Sequence, residues 1–178
     1  MKTASAKASN MIKKILKRKF PETKFSCTSD NYNMGSSVNV SWTDGPTSEQ
    51  VDKLINEFQY GHFDGMIDLY EYSNSRDDIP QAKYVMSNRR LSDEIVLQAS
   101  KVAKKHYSDL QDVPEPTLET LGDSFSVFDQ YYNWYQLACR ILGKIDLTGA
   151  KGIKEDYEFT GGGIWEGFIA DKSKEVTV

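Results

Sequence analysis

The sequence predicts an α+β fold, with an antiparallel sheet entered through an N-terminal β-hairpin, covered by helices and followed by a C-terminal helical extension. Three observations carry this. Residues 24–28 and 38–43 alternate with a period of two, Phe25 and Cys27 against Lys24, Ser26 and Thr28, then Val38, Val40 and Trp42 against Asn39, Ser41 and Thr43. Apolar residues recur at helical spacing on both sides of this pair. A chain of 178 residues with 39% apolar content is long enough to bury one core. The expected order is α-β-β-α-β-α, as an α+β domain over residues 1–111 with a helical extension over 112–178 packed on it.

Ala4, Ala8, Met11, Ile12, Ile15, Leu16 and Phe20 give one apolar stripe, so a helix is expected over residues 4–19 that Pro21 helps to end. Lys13, Lys14, Lys17 and Arg18 fall on its other face. Between the two predicted strands, residues 30–36 read DNYNMGS, longer than a two-residue turn, and are expected to project. Asp44-Gly45-Pro46 makes a turn, and Thr47 with Gln50 fits a capping box opening a helix with its stripe at Val51, Leu54, Ile55 and Phe58. Residues 60–80 mix glycines, aromatics and acids without one period. A further strand is expected within residues 81–90, then a helix capped by Ser92 with a core stripe of Ile95, Val96, Ala99, Val102 and Ala103. Pro114-Glu115-Pro116 marks a linker. A long helix is expected from Ser124 or Ser126 to Leu142, carrying aromatics on more than one face. Gly161-Gly162-Gly163, Ile164, Trp165 and Phe168 read as a loop and a short docking strand.

The net charge of −4 hides an asymmetry: residues 1–24 hold eight Lys and Arg against Glu22, a net of +7, and the remainder carries −11. Nucleic-acid contact is therefore expected to start from the N-terminal segment, while an acidic body suits a basic protein partner. No apolar run is long enough to span a bilayer, and the apolar residues of 1–20 are interleaved with lysines, unlike a secretory signal. The expected location is therefore the cytoplasm of a cell. Cys27 and Cys139 lack the spacing of a zinc site or a disulfide framework and are expected to be small buried hydrophobes.

Two groups of residues could carry function. Tyr32 could stack on a base, Asn31 and Asn33 could hydrogen-bond one, and Lys13, Lys17, Arg18 and Lys24 could contact phosphate. The competing reading is a surface loop beside a solvated helix face. His62, Asp64, Asp68 and Glu71 are the candidates for catalysis, with Asp77 and Asp78 nearby. Their spacing matches no EF-hand or HExxH helix, so no metal site is assigned. A magnesium ion belongs only to a nuclease reading, and otherwise no cofactor is expected.

The phrases KFPETKFS (residues 19–26), SVNVSWTDGPT (37–47) and DGMIDLYEYSNSRDDIPQAKYVMSNRRLSDE (64–94) resemble a large polyvalent protein-associated domain of phages, plasmids and conjugative elements. The likeness spans about residues 4–107 and does not reach the aromatic C-terminal helix. It implies a small mobile-element protein that protects incoming DNA from host defence, a setting shared with stand-alone type II anti-CRISPR inhibitors of Cas9. The partners it implies are a Cas9-type effector and its guide RNA, met by the chain as a monomer or homodimer. The alternatives are a partner-dependent ribonuclease that shortens the guide, and an acidic DNA mimic. The resemblance carries over no catalytic residue.

Overall fold

The computed structural model describes residues 2–127, 130–150, 153, 159–160 and 169–170. The chain forms two compact units, Met1–Arg90 and Leu91–Val178. In the first, α1 (Ala4–Lys19) has the bounds its stripe predicts, with the Thr3 hydroxyl accepting from the Ala6 amide and the Phe20 amide closing on the Leu16 carbonyl just before Pro21. Ala8, Ile12 and Leu16 are fully buried.

Strand β1 (Ser26–Tyr32) pairs antiparallel with β2 (Gly35–Thr43), in a register that sets Cys27 opposite Val40 and Tyr32 opposite Gly35. The hairpin is thus closed by two residues, Asn33 and Met34, and the seven-residue tip expected over 30–36 is corrected. Met34 makes the tight turn by adopting a left-handed backbone, φ 78°. The strands consequently pair all the way to the tip.

The capping box opens α2 (Ser48–Ile55): the Thr47 hydroxyl accepts from the Gln50 amide at 3.2 Å, and the Gln50 side chain accepts from the Thr47 amide at 2.8 Å. A 3-10 turn, Asn56–Phe58, continues the stripe. Two short strands follow, β3 (His62–Asp64) and β4 (Leu69–Glu71), as an antiparallel ribbon. Strand β5 (Tyr84–Arg90) then pairs with β2 in parallel, giving the order β1-β2-β5. The α+β class and the N-terminal hairpin hold, while the third strand makes the sheet mixed, because the chain crosses back through α2 before re-entering it.

The pleat sorts this sheet into two faces. Val38, Val40 and Trp42 are buried on the inner face with Ala8, Ile12, Leu16, Val51, Ile55 and Phe58. Trp42 satisfies its indole N–H on the Pro46 carbonyl at 3.0 Å. On the outer face the register aligns Asp30, Ser37 and Tyr84, then Thr28, Asn39 and Met86, then Ser26, Ser41 and Asn88, and finally Thr43 and Arg90.

In the second unit, α3 (Asp93–His106) contributes Ile95, Val96, Ala99 and Ala103 to a core shared with Leu110, Leu121, Phe125 and Trp134. Where the proline pair suggested a division at 111/112, the compact units part at Arg90 and Leu91, since α3 buries its stripe among these later residues. The long helix expected to 142 is corrected: β6 (Phe125–Val127) pairs with β7 (Gln130–Tyr132), and only then does α4 (Trp134–Leu142) begin. The helix starts there because Asn133 and Gln136 form a reciprocal capping box, at 2.9 and 3.0 Å. Two short strands, β8 (Phe159–Thr160) and β9 (Ile169–Ala170), complete the described elements. The Gly161-Gly162-Gly163, Trp165 and Phe168 segment lies outside the described residues.

Candidate nucleic-acid interface

The ribbon of β3 and β4 brings together residues that no local pattern connects. Tyr70 and Tyr72 alternate on one of its faces, and Tyr60 stacks on Tyr72 with ring centroids 5.5 Å apart and planes 6° from parallel. Tyr70 meets Tyr60, Tyr72 and Tyr84 edge to face, at 5.8, 5.4 and 5.7 Å. The Tyr70 hydroxyl donates to the Lys83 carbonyl at 2.6 Å, which locks the ribbon onto the strand it precedes. Lys83 Nζ lies 4.9 Å from the Tyr70 ring centre and 5.6 Å from that of Tyr84. The same ammonium donates to the Met34 carbonyl at 3.4 Å, so the hairpin tip borders the cluster.

Burial and neighbouring phenols push the Tyr70 hydroxyl up to about 12, and burial, with Tyr72 and Tyr32 nearby, raises that of Tyr60. Tyr60 and Tyr70 therefore keep their protons at physiological pH, and the Tyr70 hydroxyl stays a donor. The cluster is not closed over. Tyr72 is 69% exposed, Tyr32 47% and Met34 91%, and most of the described large apolar side chains that are exposed lie in this hairpin tip and the adjoining ribbon. Such a concentration is unlike scattered surface apolars and marks a contact surface.

One glycine makes the ribbon possible. A Cβ on Gly61 would sit 2.0 Å from the Glu71 carbonyl oxygen, so the two backbones approach as only glycine allows. Gly35 has a related role at the tip, where the Tyr32 ring lies across it.

The residues expected to bind nucleic acid are divided by the fold. Tyr32 and Asn33 are exposed at the tip. Asn31 is committed to structure: its carbonyl oxygen accepts from the Ser5 hydroxyl at 2.9 Å and its amide donates to the Thr3 hydroxyl at 3.3 Å, tying the start of α1 to the tip. Helix α1 thus runs from the tip toward the open end of the hairpin, with the Ser9 hydroxyl on the Cys27 carbonyl at 3.0 Å partway along. Lys13, Lys17 and Arg18 follow Ser5 by eight to thirteen residues, or ~12 to ~20 Å at ~1.5 Å per residue. They are exposed in the helical layer that covers the inner face, and Lys24 is exposed just before β1. The sheet therefore stands between these helix cations and the outer face. The Cys27 thiol is pushed up to about 11 by burial, with Lys13 acting in the opposite direction, whereas Cys139 is exposed, not buried as expected.

The candidates for catalysis occupy the other face of the ribbon. His62 pairs in register with Glu71, with Nε2 3.6 Å from a carboxylate oxygen, and its Nδ1 lies 2.9 Å from the Ser73 hydroxyl. Asp64 accepts from the Met66 amide at 2.8 Å within the ribbon's turn, and Asp68 takes a left-handed conformation there, φ 53°. Period-two alternation directs His62 and Glu71 away from Tyr70 and Tyr72. Half-exposed imidazole, carboxylate and hydroxyl groups can exchange protons, but the geometry separates them from the stacking surface. Among the described residues no group of three or more His, Cys, Asp or Glu side chains is disposed to hold a metal ion.

Sequence reasoning identified Tyr32 but missed Tyr60, Tyr70, Tyr72, Tyr84 and Lys83. The available signal was the alternation Tyr70-Glu71-Tyr72 after a Gly65-containing turn, which reads as the return strand of a ribbon. In the second unit an open groove of about 630 Å3 is lined by Gln98, Lys101, Lys105 and Ile153. There Lys104 is spent on the carbonyls of Leu110, Gln111 and Val113.

Among the described residues no helix is long and apolar enough to cross a membrane. A family model, large polyvalent protein associated domain 29, matches residues 3–94, a range that closely follows the first unit. No curated protein and no solved structure matches the chain.

Proposed function

The chain belongs to the large polyvalent protein associated domain 29 family, a setting of phage and mobile-element proteins, and from this premise we propose that its first unit binds single-stranded or looped nucleic acid through the tyrosine cluster. The observation that carries the reading is the convergence of Tyr60, Tyr70, Tyr72 and Tyr84, with Lys83 over the Tyr70 and Tyr84 rings and bonded to the hairpin tip that carries Tyr32, while Tyr72 and Tyr32 are open to solvent. Ring faces suit unpaired bases, each stack contributing ~1–3 kcal/mol and tolerating any base. A cation held over two rings adds attraction for phosphate without a broad basic surface. Within a mobile element's counter-defence, the finer reading is inhibition of a Cas9-type ribonucleoprotein through its guide RNA, with the tyrosines meeting an unpaired stretch of that guide.

Fluorescence anisotropy with short labelled oligouridine and oligothymidine tests the binding. Tyr72→Ala is expected to weaken it by about 5- to 150-fold, the range set by one lost stack. Affinity in both Tyr72→Ala and Tyr32→Ala equal to that of the unaltered chain, or no binding by the unaltered chain, overturns the proposal. For the finer reading, the chain is incubated with a Cas9–guide complex, target cleavage is measured and the guide is run on a denaturing gel. Lost cleavage with an intact guide supports inhibition by binding; a shortened guide supports the ribonuclease alternative instead.

A further inference from the structure

We infer that the bound strand leaves the tyrosine cluster and runs along the outer face of the sheet over β5, where Asn39 and Asn88 read base edges and Arg90 holds a phosphate. The inference rests on the proposed function and extends it from a stacking patch to a path with a direction and a base preference.

Tyr84 belongs to both surfaces. It meets Tyr70 edge to face within the cluster, and it heads the outer row of β5 that continues through Met86 and Asn88 to Arg90. The face is continuous with the cluster. It is also nearly free of charge: among the outer-row residues Asp30 is the one carboxylate, near the tip on the far strand β1, and Arg90 is the one cation, at the open end of β5. Together with Lys83 beside the cluster, Arg90 brackets a neutral track between two positive ends, while Asp30 repels a phosphate from β1. That pattern favours a strand lying over β5 and β2.

The side chains along the track are unspent. Asn39 and Asn88 are exposed, and among the described residues neither amide has a hydrogen-bond partner. The same holds for the Arg90 guanidinium, whereas its neighbour Arg89 on the inner face donates to the carbonyls of Asp44 and Gly45, each at 3.0 Å. Register places Asn39 beside Met86 and Asn88 beside Ser41. Met86, 49% exposed amid polar groups, offers an apolar floor that a base can cover while an amide meets its edge. An asparagine amide presents a donor and an acceptor in one plane, the arrangement that pairs with adenine in two hydrogen bonds.

Spacing fits an unstacked strand. Alternate residues of a strand lie ~6.6 Å apart, about twice the ~3.4 Å rise between stacked nucleotides. A ligand in step with Tyr84, Met86, Asn88 and Arg90 therefore has its bases splayed, the state in which single strands are read.

Anisotropy titrations with labelled oligoadenosine and oligouridine, on the full chain, test the path. Arg90→Glu is expected to weaken both about 10-fold or more and to flatten the dependence of log affinity on log salt by about 0.7, one phosphate contact. The Asn39→Ala/Asn88→Ala double variant is expected to reduce the preference for oligoadenosine over oligouridine about 5-fold or more while the salt slope is kept. These positions are exposed, so urea unfolding is expected to be unchanged and serves as the check on folding. If Tyr72→Ala weakens binding while the Arg90 and asparagine variants behave as the unaltered chain, the path is overturned and the proposed function stands. If the unaltered chain binds neither oligonucleotide, both fall.

Discussion

Replacing Gly61 by alanine tests how the tyrosine cluster is held. The added Cβ would lie 2.0 Å from the Glu71 carbonyl oxygen and 2.6 Å from a Tyr70 ring carbon. The ring can move, but the oxygen is backbone, so β3 and β4 must separate by more than 1 Å, roughly the difference from an ordinary van der Waals contact. Three residue pairs join these strands, and their few hydrogen bonds contribute only ~0.5–1.5 kcal/mol each. The ribbon is thus weaker than the clash. Gly61→Ala is expected to open the ribbon while leaving the core of Ile12, Leu16, Val40 and Trp42 intact. Amide exchange should speed up across residues 62–71, and the free energy of global unfolding in urea should fall by no more than about 1.5 kcal/mol. Near-ultraviolet dichroism from the tyrosines should diminish in parallel. Gly65→Ala, whose Cβ would meet nothing within 4 Å, is the control and should leave exchange in the ribbon unaltered. Retained protection across the ribbon in Gly61→Ala, or a global loss of several kcal/mol, would refute the view that the cluster rides on a detachable ribbon.

Alkaline conditions should single out Tyr70 and Tyr107, both pushed up to about 12 by burial, from an ordinary value near 10. The folded chain holds these protons where the unfolded chain has lost them, so neither phenol affects stability below about pH 10, and stability falls as pH rises from about 10 through about 12. A spectrophotometric titration should show the last tyrosinates forming near the upper end of that window, and ionisation of every tyrosine near 10 would contradict the burial. Alkylation at neutral pH should label exposed Cys139 well before Cys27, whose thiol is pushed up to about 11, as mass spectrometry of the peptides would reveal. Met34→Gly should stabilise the hairpin by about 0.5–1 kcal/mol, since glycine adopts the left-handed turn without the penalty methionine bears there; a lower urea midpoint would count against that assignment. Asn133→Ala should cost about 1 kcal/mol through the lost cap of α4, and no effect would revive a single helix running through residues 124–142.

Much of the fold was legible where local chemistry decides it. The bounds of α1 follow from its stripe and from Pro21, and α2 begins where Thr47 and Gln50 can cap each other. The hairpin tip misled because tight turns are expected to use Gly or Asn at the left-handed position, whereas Met34 occupies it and Gly35 already belongs to the strand. Residues 125–142 misled because closely spaced aromatics satisfy a helical stripe and a short hairpin equally well, and the Asn133 cap decides between them. The tyrosine cluster was the least legible part. Its rings lie between positions 60 and 84 beside a tip that carries Tyr32, and they come together only because β5 returns parallel to β2 and the β3–β4 ribbon folds against it. No window on the sequence contains that information.

Charge shows how the same non-local step changes a functional argument. Along the sequence the first 24 residues stand out at +7, which suggests a basic arm. In the structure that segment is built into a unit with thirteen basic and eleven acidic residues, a net of +2, and its helix cations face away from the outer sheet. A strand bound on that sheet meets Lys83 and Arg90 rather than the lysines of α1. Two phosphate contacts imply a salt slope of about −1.4 for a single strand, whereas engagement of Lys13, Lys14, Lys17 and Arg18 as well would bring it to about −4. The slope therefore distinguishes the two faces without mutation: a shallow value belongs to stacking on the tyrosine face, and a steep one would move the interface to the helix.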